Sequence, residues 1–157
     1  MQPFPTRKPV RIEGYDYSTP GAYFVTVCTA DRKPIFWLER RGGYHPPEKI
    51  PLSPAGKTVE QAIEQIPGHY SSVRVDKYCI MPDHIHLLLR IEPEADGRMI
   101  SAPTRSTVVG SMKRWVSRQV GAPIWQKSFY DHGIRNQKDY DEIWEYIENN
   151  PRKYTLK

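Results

Sequence analysis

The chain has little cysteine and no long apolar stretch. Its two thiols, Cys28 and Cys79, stand far apart with no CxxC spacing, which excludes a disulfide framework and a cysteine-built zinc finger. No run approaches the roughly 20 apolar residues of a membrane span, and the opening MQPFPTRKPV lacks the hydrophobic segment of an export signal. A cytoplasmic protein with no membrane partner is therefore expected. Internal repeats and low-complexity tracts are absent too. Acidic residues are outnumbered, 18 against 23 Lys and Arg, for a formal charge of +5. That balance favours an anionic partner, nucleic acid first. With 38% hydrophobic and 26% charged residues, a 157-residue chain can build one ordinary core and not two. A single domain over residues 1–157 is expected.

Residues 1–20 read as an arm that ends in the turn cluster Thr19-Pro20-Gly21. AYFVTVC, from Ala22 to Cys28, is β-branched and aromatic and reads as a first strand. The prolines and glycines between Leu38 and Pro54 predict a loop insertion, after which Ser53 should cap a helix begun by Pro54. Val59, Ala62, Ile63 and Ile66 fall on one face of that helix, and Pro67-Gly68 should stop it. Strands over Ser72 to Ile80 and His84 to Ile91 should form a hairpin through Met81-Pro82-Asp83. After a polar linker from Glu92 to Pro103, Val108, Val109, Met112, Trp115 and Val116 predict a second helix that ends at Gly121. Ile124 to Tyr130 is apolar enough for a fourth strand, and Asp139 to Asn149 should be a last helix terminated by Pro151. The order β-α-β-β-α-β plus a helix is that of an α+β, ferredoxin-like antiparallel sheet with helices on one face.

On a strand, alternate side chains share a face, so His84 and His86 in DHIHLLL project together and could grip one metal ion. A pair of half-exposed strand histidines is the plainer alternative. Two imidazoles do not complete a metal shell, so another ligand must come from elsewhere. In the last helix Tyr140, Ile143, Trp144 and Ile147 form the stripe expected to pack on the sheet, while Asp141, Glu142, Glu145 and Glu148 face solvent. Tyr146 and Asn150 stack one turn apart at the border between the two faces. A phenol, a carboxamide and two imidazoles are a workable set for phosphodiester cleavage, provided a cation polarises the phosphate. Tyr130 and Tyr140 are rival nucleophiles, disfavoured by a strand position and by the packed stripe. Asp83 is read chiefly as turn chemistry, with a carboxylate partner for a ligating histidine as the alternative.

Three ordered segments, MPDHIHLLL (Met81 to Leu89), IWQKSFYDHGIRN (Ile124 to Asn136) and EYIENNP (Glu145 to Pro151), resemble the single-tyrosine HUH transposases. Within that group the likeness is to the REP-associated tyrosine transposases. The resemblance implies that His84 and His86 are metal ligands, that Asn150 is the third, and that Tyr146 is the nucleophile. It also implies cleavage of single-stranded DNA at hairpin-forming, REP-like elements through a 5′-phosphotyrosine intermediate, with Mg²⁺ or Mn²⁺ as cofactor. Monomer and homodimer both occur among such relatives, and both stay open here. The insertion at Leu38 to Pro54 and the ending RKYTLK depart from the pattern.

Between Arg98 and Lys138 the chain holds eight basic residues against one acid, Asp131. Lys113, Arg114, Arg118, Lys127 and Arg135 are the candidate DNA contacts in that stretch, with Trp115, Trp125, Phe129 and Tyr130 as surfaces on which unpaired bases could stack. A non-catalytic module that binds single-stranded nucleic acid on a ferredoxin-like sheet is the runner-up reading, and a structural zinc protein is a third.

Overall fold

The computed structural model describes residues 21–38, 51–92 and 104–155; the arm at 1–20, most of the insertion at 38–54 and the linker before Thr104 lie outside them. The elements follow as β1 (Gly21–Cys28), α1 (Pro54–His69), β2 (Val73–Ile80), β3 (His84–Ile91), α2 (Arg105–Val120), β4 (Tyr130–Gly133) and α3 (Gln137–Thr155). The four strands are antiparallel in the order β2-β3-β1-β4. This is the expected ferredoxin-like order, in which β3 fills the slot between the two strands that α1 connects.

Local chemistry sets most boundaries. Ser53 Oγ accepts the Gly56 N–H at 3.1 Å, and Pro54 opens α1 where its missing N–H is not needed. Thr104 caps α2 by accepting the Thr107 N–H, and Gly121, at φ 88°, turns the chain out of that helix. The insertion is pinched at its base, where Leu38 N–H donates to Pro51 C=O at 2.7 Å.

Three expected boundaries move. Pro67-Gly68 lies inside the last turn of α1, which closes with Tyr70 N–H on Ile66 C=O at 3.0 Å. A proline so near a helix end costs one hydrogen bond, and buried Ile63 and Ile66 hold the turn down regardless. Pro151 likewise does not end α3, which runs on to Thr155, because Ile147, 1% exposed, anchors the turn before it. The fourth strand is Tyr130–Gly133 rather than Ile124 to Tyr130. Ile124 and Trp125 are apolar because a loop buries them on the exit of β1, where Ala30 N–H donates to Ile124 C=O and Gln126 N–H to Cys28 C=O. Trp125 packs there on Phe36 and is closed off as a base-stacking platform.

The β1–β3 register sorts the sheet into two faces. Tyr23↔Leu89, Val25↔Leu87 and Val27↔Ile85 lie on one; Phe24↔Leu88, Thr26↔His86 and Cys28↔His84 lie on the other. Helices α1 and α2 cover the first, where Tyr78 meets Glu60 and Glu64 of α1. Helix α3 crosses the second, where Lys77 meets Glu148. A bulge at Asp76 makes this possible: Val75 pairs with Leu89 but Lys77 pairs with Leu88, so the two point to opposite faces.

Gly56 sits where α1 passes the β1 exit, and a Cβ there would collide with the Phe36 carbonyl oxygen. Gly56→Ala should destabilise the fold by about 1–3 kcal/mol. Gly68→Ala, with open space around its new methyl, should be neutral or stabilising by up to about 1 kcal/mol. Urea unfolding of the two variants checks this, and equal midpoints would refute the packing argument.

Candidate active site

His84 opens β3 and His86 follows on the same face, with ring centroids 4.7 Å apart. Each has its Nδ1 engaged. His86 Nδ1 lies 2.9 Å from Thr26 Oγ1, directly across the β1–β3 ladder. His84 Nδ1 lies 2.7 Å from Asp83 Oδ1. In the tautomers that donate from Nδ1, both lone pairs sit on Nε2, the arrangement by which a second partner aims an imidazole at a metal. Asp83 therefore serves the histidine as well as the turn, which reverses the weight given to it on sequence. Burial holds His86 neutral, with its pKa well below the usual value, and the nearby His84 and Arg32 charges push the same way. Neutral imidazole is the form that ligates.

Helix α3 carries the third group. Asn136 Oδ1 accepts the Asp139 N–H to start it, and the Asp139 carboxylate meets His132 Nε2 of β4 at 2.9 Å. Tyr140 OH donates to Asp76 Oδ2 at 2.6 Å, the oxygen that also accepts from Arg90 Nε. Tyr140 is thus an anchor, as its packed position suggests. Lys77 grips Glu148 and lies over the Trp144 ring, which is 37% exposed and so only half joins the packed stripe. These ties set the helix down with Ile147 buried and Tyr146 turned onto the histidines.

The Tyr146 ring centre lies 5.3 Å from that of His86, and Phe24 fills the corner at 5.2 Å from His86 and 6.0 Å from Tyr146. Asn150, half-buried one turn on, hydrogen-bonds the Tyr146 hydroxyl and the Cys79 thiol. The four residues singled out on sequence thus meet in one chain, with α3 docked on its own sheet. Burial raises the Tyr146 pKa, Cys79 adds to this, and only the Asn150 bond opposes it. The phenol therefore rests protonated. Cys79 itself is pushed up to about 12, chiefly by burial, so it packs and accepts rather than reacts.

Thr26, Phe24, Cys79, Asp83 and Arg32 complete the site, and of these only Asp83 lies in one of the three segments quoted above. Cross-strand register is the signal that finds Thr26 and Cys79, since both pair with His86. Arg32 arrives through an unusual backbone: Asp31 and Arg32, both non-glycine, have φ of 56° and 53°. Left-handed residues of this kind cost about 1–3 kcal/mol each and persist where surrounding bonds over-determine them. Here Arg32 N–H donates to Thr29 C=O, and Thr29 Oγ1 reaches the carbonyls of Lys33 and Asp83. Arg32 Nε then donates to Asp83 Oδ2 at 3.2 Å. Burial works to raise the Asp83 pKa, but the hydrogen bonds from His84 and Arg32 prevail and hold it below the ordinary carboxylate value.

The basic candidates are placed elsewhere. Lys113, Arg114, Arg118 and Lys127 line one shallow depression of about 420 Å³ beside Trp125. The Lys113 ammonium is already donating to the Gln126 and Lys127 carbonyls. Arg114 and Arg118 also border a groove of about 410 Å³ between α1 and α2 with Trp115 and Tyr70, on the sheet face away from the histidines. Arg135 is exposed just before α3. Among the described residues no helix is long and apolar enough to cross a membrane, and no three His, Cys, Asp or Glu side chains cluster as a metal site.

Comparison with known proteins places the chain. The family model described as Transposase IS200 like matches residues 52–150. An uncharacterized protein of Haemophilus influenzae is 30% identical over 164 residues, covering 92% of this chain and 88% of its own length. A second protein of that organism, provisionally named a REP-associated tyrosine transposase, is 27% identical over 147 residues, covering 88% and 74%. The solved structure of a REP-associated tyrosine transposase bound to a REP hairpin shares the fold, with a TM-score of 0.60 at 23% identity over 92% of this chain and 74% of that one. With the family model spanning well over half of its length, the chain belongs to the IS200-like transposases, and it is similar to REP-associated tyrosine transposases.

Proposed function

We propose that this transposase is a metal-dependent endonuclease and strand transferase for single-stranded DNA, cutting at hairpin-forming repeats through a 5′-phosphotyrosine. One observation carries the reading: within a single chain the Tyr146 phenol lies against the His84–His86 pair, 5.3 Å from the nearer ring. Of the rivals, Tyr140 is occupied by Asp76, while Tyr130 pairs with Thr26 and so shares the histidine face but has no helical partner of the kind that Asn150 gives Tyr146.

The donor set fits a divalent cation. Two imidazoles, each with Nδ1 already engaged, and the Asn150 carboxamide oxygen would hold Mn²⁺ or Mg²⁺. Bound there, the ion would neutralise charge on a non-bridging phosphate oxygen. The chain's own part is nucleophile and frame. The Tyr146 oxygen attacks phosphorus and loses its proton, the phosphorus–O3′ bond breaks, and the departing 3′ oxygen takes up a proton as a free hydroxyl. Asn150, bonded to the phenol, orients it and eases its ionisation. Reverse attack by a 3′-hydroxyl rejoins the strand with no external energy, because the phosphotyrosine conserves the ester bond. The hairpin in the solved relative suggests the substrate, and exposed Arg114, Arg118, Lys127 and Arg135 would add sequence-independent, salt-sensitive affinity.

Purified protein mixed with labelled single-stranded hairpins from its own genomic neighbourhood and Mg²⁺ should yield a covalent protein–DNA band on a denaturing gel. EDTA should abolish it. Tyr146→Phe should lower cleavage by about 10⁴-fold or more while leaving hairpin binding nearly intact; retained nicking would remove Tyr146 from the chemistry. No adduct at all, with tight binding, would leave the runner-up binding module.

Thr26 and Asp83 act on the metal through the histidines they orient. Thr26→Val should weaken Mn²⁺ binding about 10–100-fold by calorimetry, and Thr26→Ser should restore it. His84→Ala and His86→Ala should lose metal binding and cleavage together. Full Mn²⁺ affinity in Thr26→Val would show that the Thr26–His86 bond does not set the ligand.

A further inference from the structure

Arg32 is held beside the candidate metal site at the cost of two left-handed residues, yet it belongs to no core. Its side chain is 53% exposed. Nε is spent on Asp83 Oδ2 at 3.2 Å, and Nη2 lies 3.5 Å from His84 Nδ1. A guanidinium carries five N–H donors in a planar fork, so a half-exposed side chain with contacts to Asp83 and His84, and with Tyr130 and Cys28 in electrostatic reach, keeps donors for a further partner. The turn beneath is fixed by the three bonds around Thr29, and the charge is therefore presented from a rigid support.

The placement is adverse for a cation arriving alone. A fixed positive charge next to the His84–His86 pair opposes an incoming cation, and the Asp83 carboxylate beside it offsets this in part. An anion reverses the balance. A phosphodiester bridging the ion and the guanidinium would be attracted by both, and planar guanidinium geometry matches phosphate oxygens well.

We infer that Arg32 is a phosphate-binding residue of this site, donating to a non-bridging oxygen of the DNA backbone at the position that the Tyr146 phenol faces. The inference rests on the nuclease reading above for what the site does, and on Arg32's own placement for which group it contacts. The alternative is a purely supporting role, in which Arg32 does no more than hold Asp83 against His84.

The two roles separate in binding measurements on the full chain, with no catalysis required. The probe is a labelled 20-nucleotide single strand in Mn²⁺, titrated by fluorescence anisotropy across a series of KCl concentrations. Arg32→Ala should lower affinity about tenfold at low salt. It should also make the slope of log affinity against log salt shallower by about 0.7, the loss of one phosphate contact on a single strand. Arg32→Lys should recover the slope, since charge is kept, and only part of the affinity. Mn²⁺ alone, titrated calorimetrically without DNA, should bind Arg32→Ala as well as the unaltered protein or better. An unchanged salt slope would overturn the proposal, as would a fall in Mn²⁺ affinity matching the loss in DNA affinity, which is the supporting role. If the unaltered protein forms no covalent adduct with DNA while the slope difference holds, the nuclease reading fails and the phosphate contact stands.

Discussion

The pairing of β1 with β3 places Thr26 opposite His86 and Cys28 opposite His84, and every later feature of the site depends on it. Side chains alternate across a sheet, so a slip of one residue would send both imidazoles toward α1 and α2 and bring Ile85 and Leu87 out beneath α3. That slip is prevented by the apolar set on the helix side. Tyr23, Val25, Val27, Ile85, Leu87 and Leu89 are all fully buried there. The hydrophobic core thus fixes the chemistry on the opposite face without touching it.

Charge is arranged around that frame in layers. His86 is buried and kept neutral; His84, nearer the surface, shares Asp83 with an exposed arginine. The phenol of Tyr146 is kept protonated at rest by burial. Surface ion pairs such as Lys77–Glu148 are worth little in stability, and here they serve to orient α3 rather than to hold the domain together.

Much of this was legible beforehand because it lay in local patterns. The His84–His86 spacing, the Ser53-Pro54 start of α1 and the i,i+4 relation of Tyr146 to Asn150 are readable from neighbours in the chain. The supporting residues were not, since Thr26, Cys79 and Phe24 gain their roles only from strands distant in sequence. Ile124 to Phe129 misled for a related reason: an apolar run reports burial, and a loop laid on the exit of β1 buries it as well as a strand would. Pro67 and Pro151 misled in the other direction, as tertiary anchoring by Ile63, Ile66 and Ile147 outweighed a local bias against helix. Nothing in the composition announces the left-handed pair at Asp31 and Arg32.

The bulge at Asp76 inverts the parity of β2 partway along its length. Up to Val75 the strand keeps step with the face that packs on α1; from Lys77 onward odd-numbered residues have crossed over, and Cys79 reaches Asn150 by that inversion alone. The half of β2 that helps build the core and the half that seats α3 are therefore out of phase by one residue. Deleting the bulged residue would keep both halves in register, since Val75 would still face Leu89 and Lys77 would still face Leu88; what it would remove is the carboxylate on which Tyr140 and Arg90 converge.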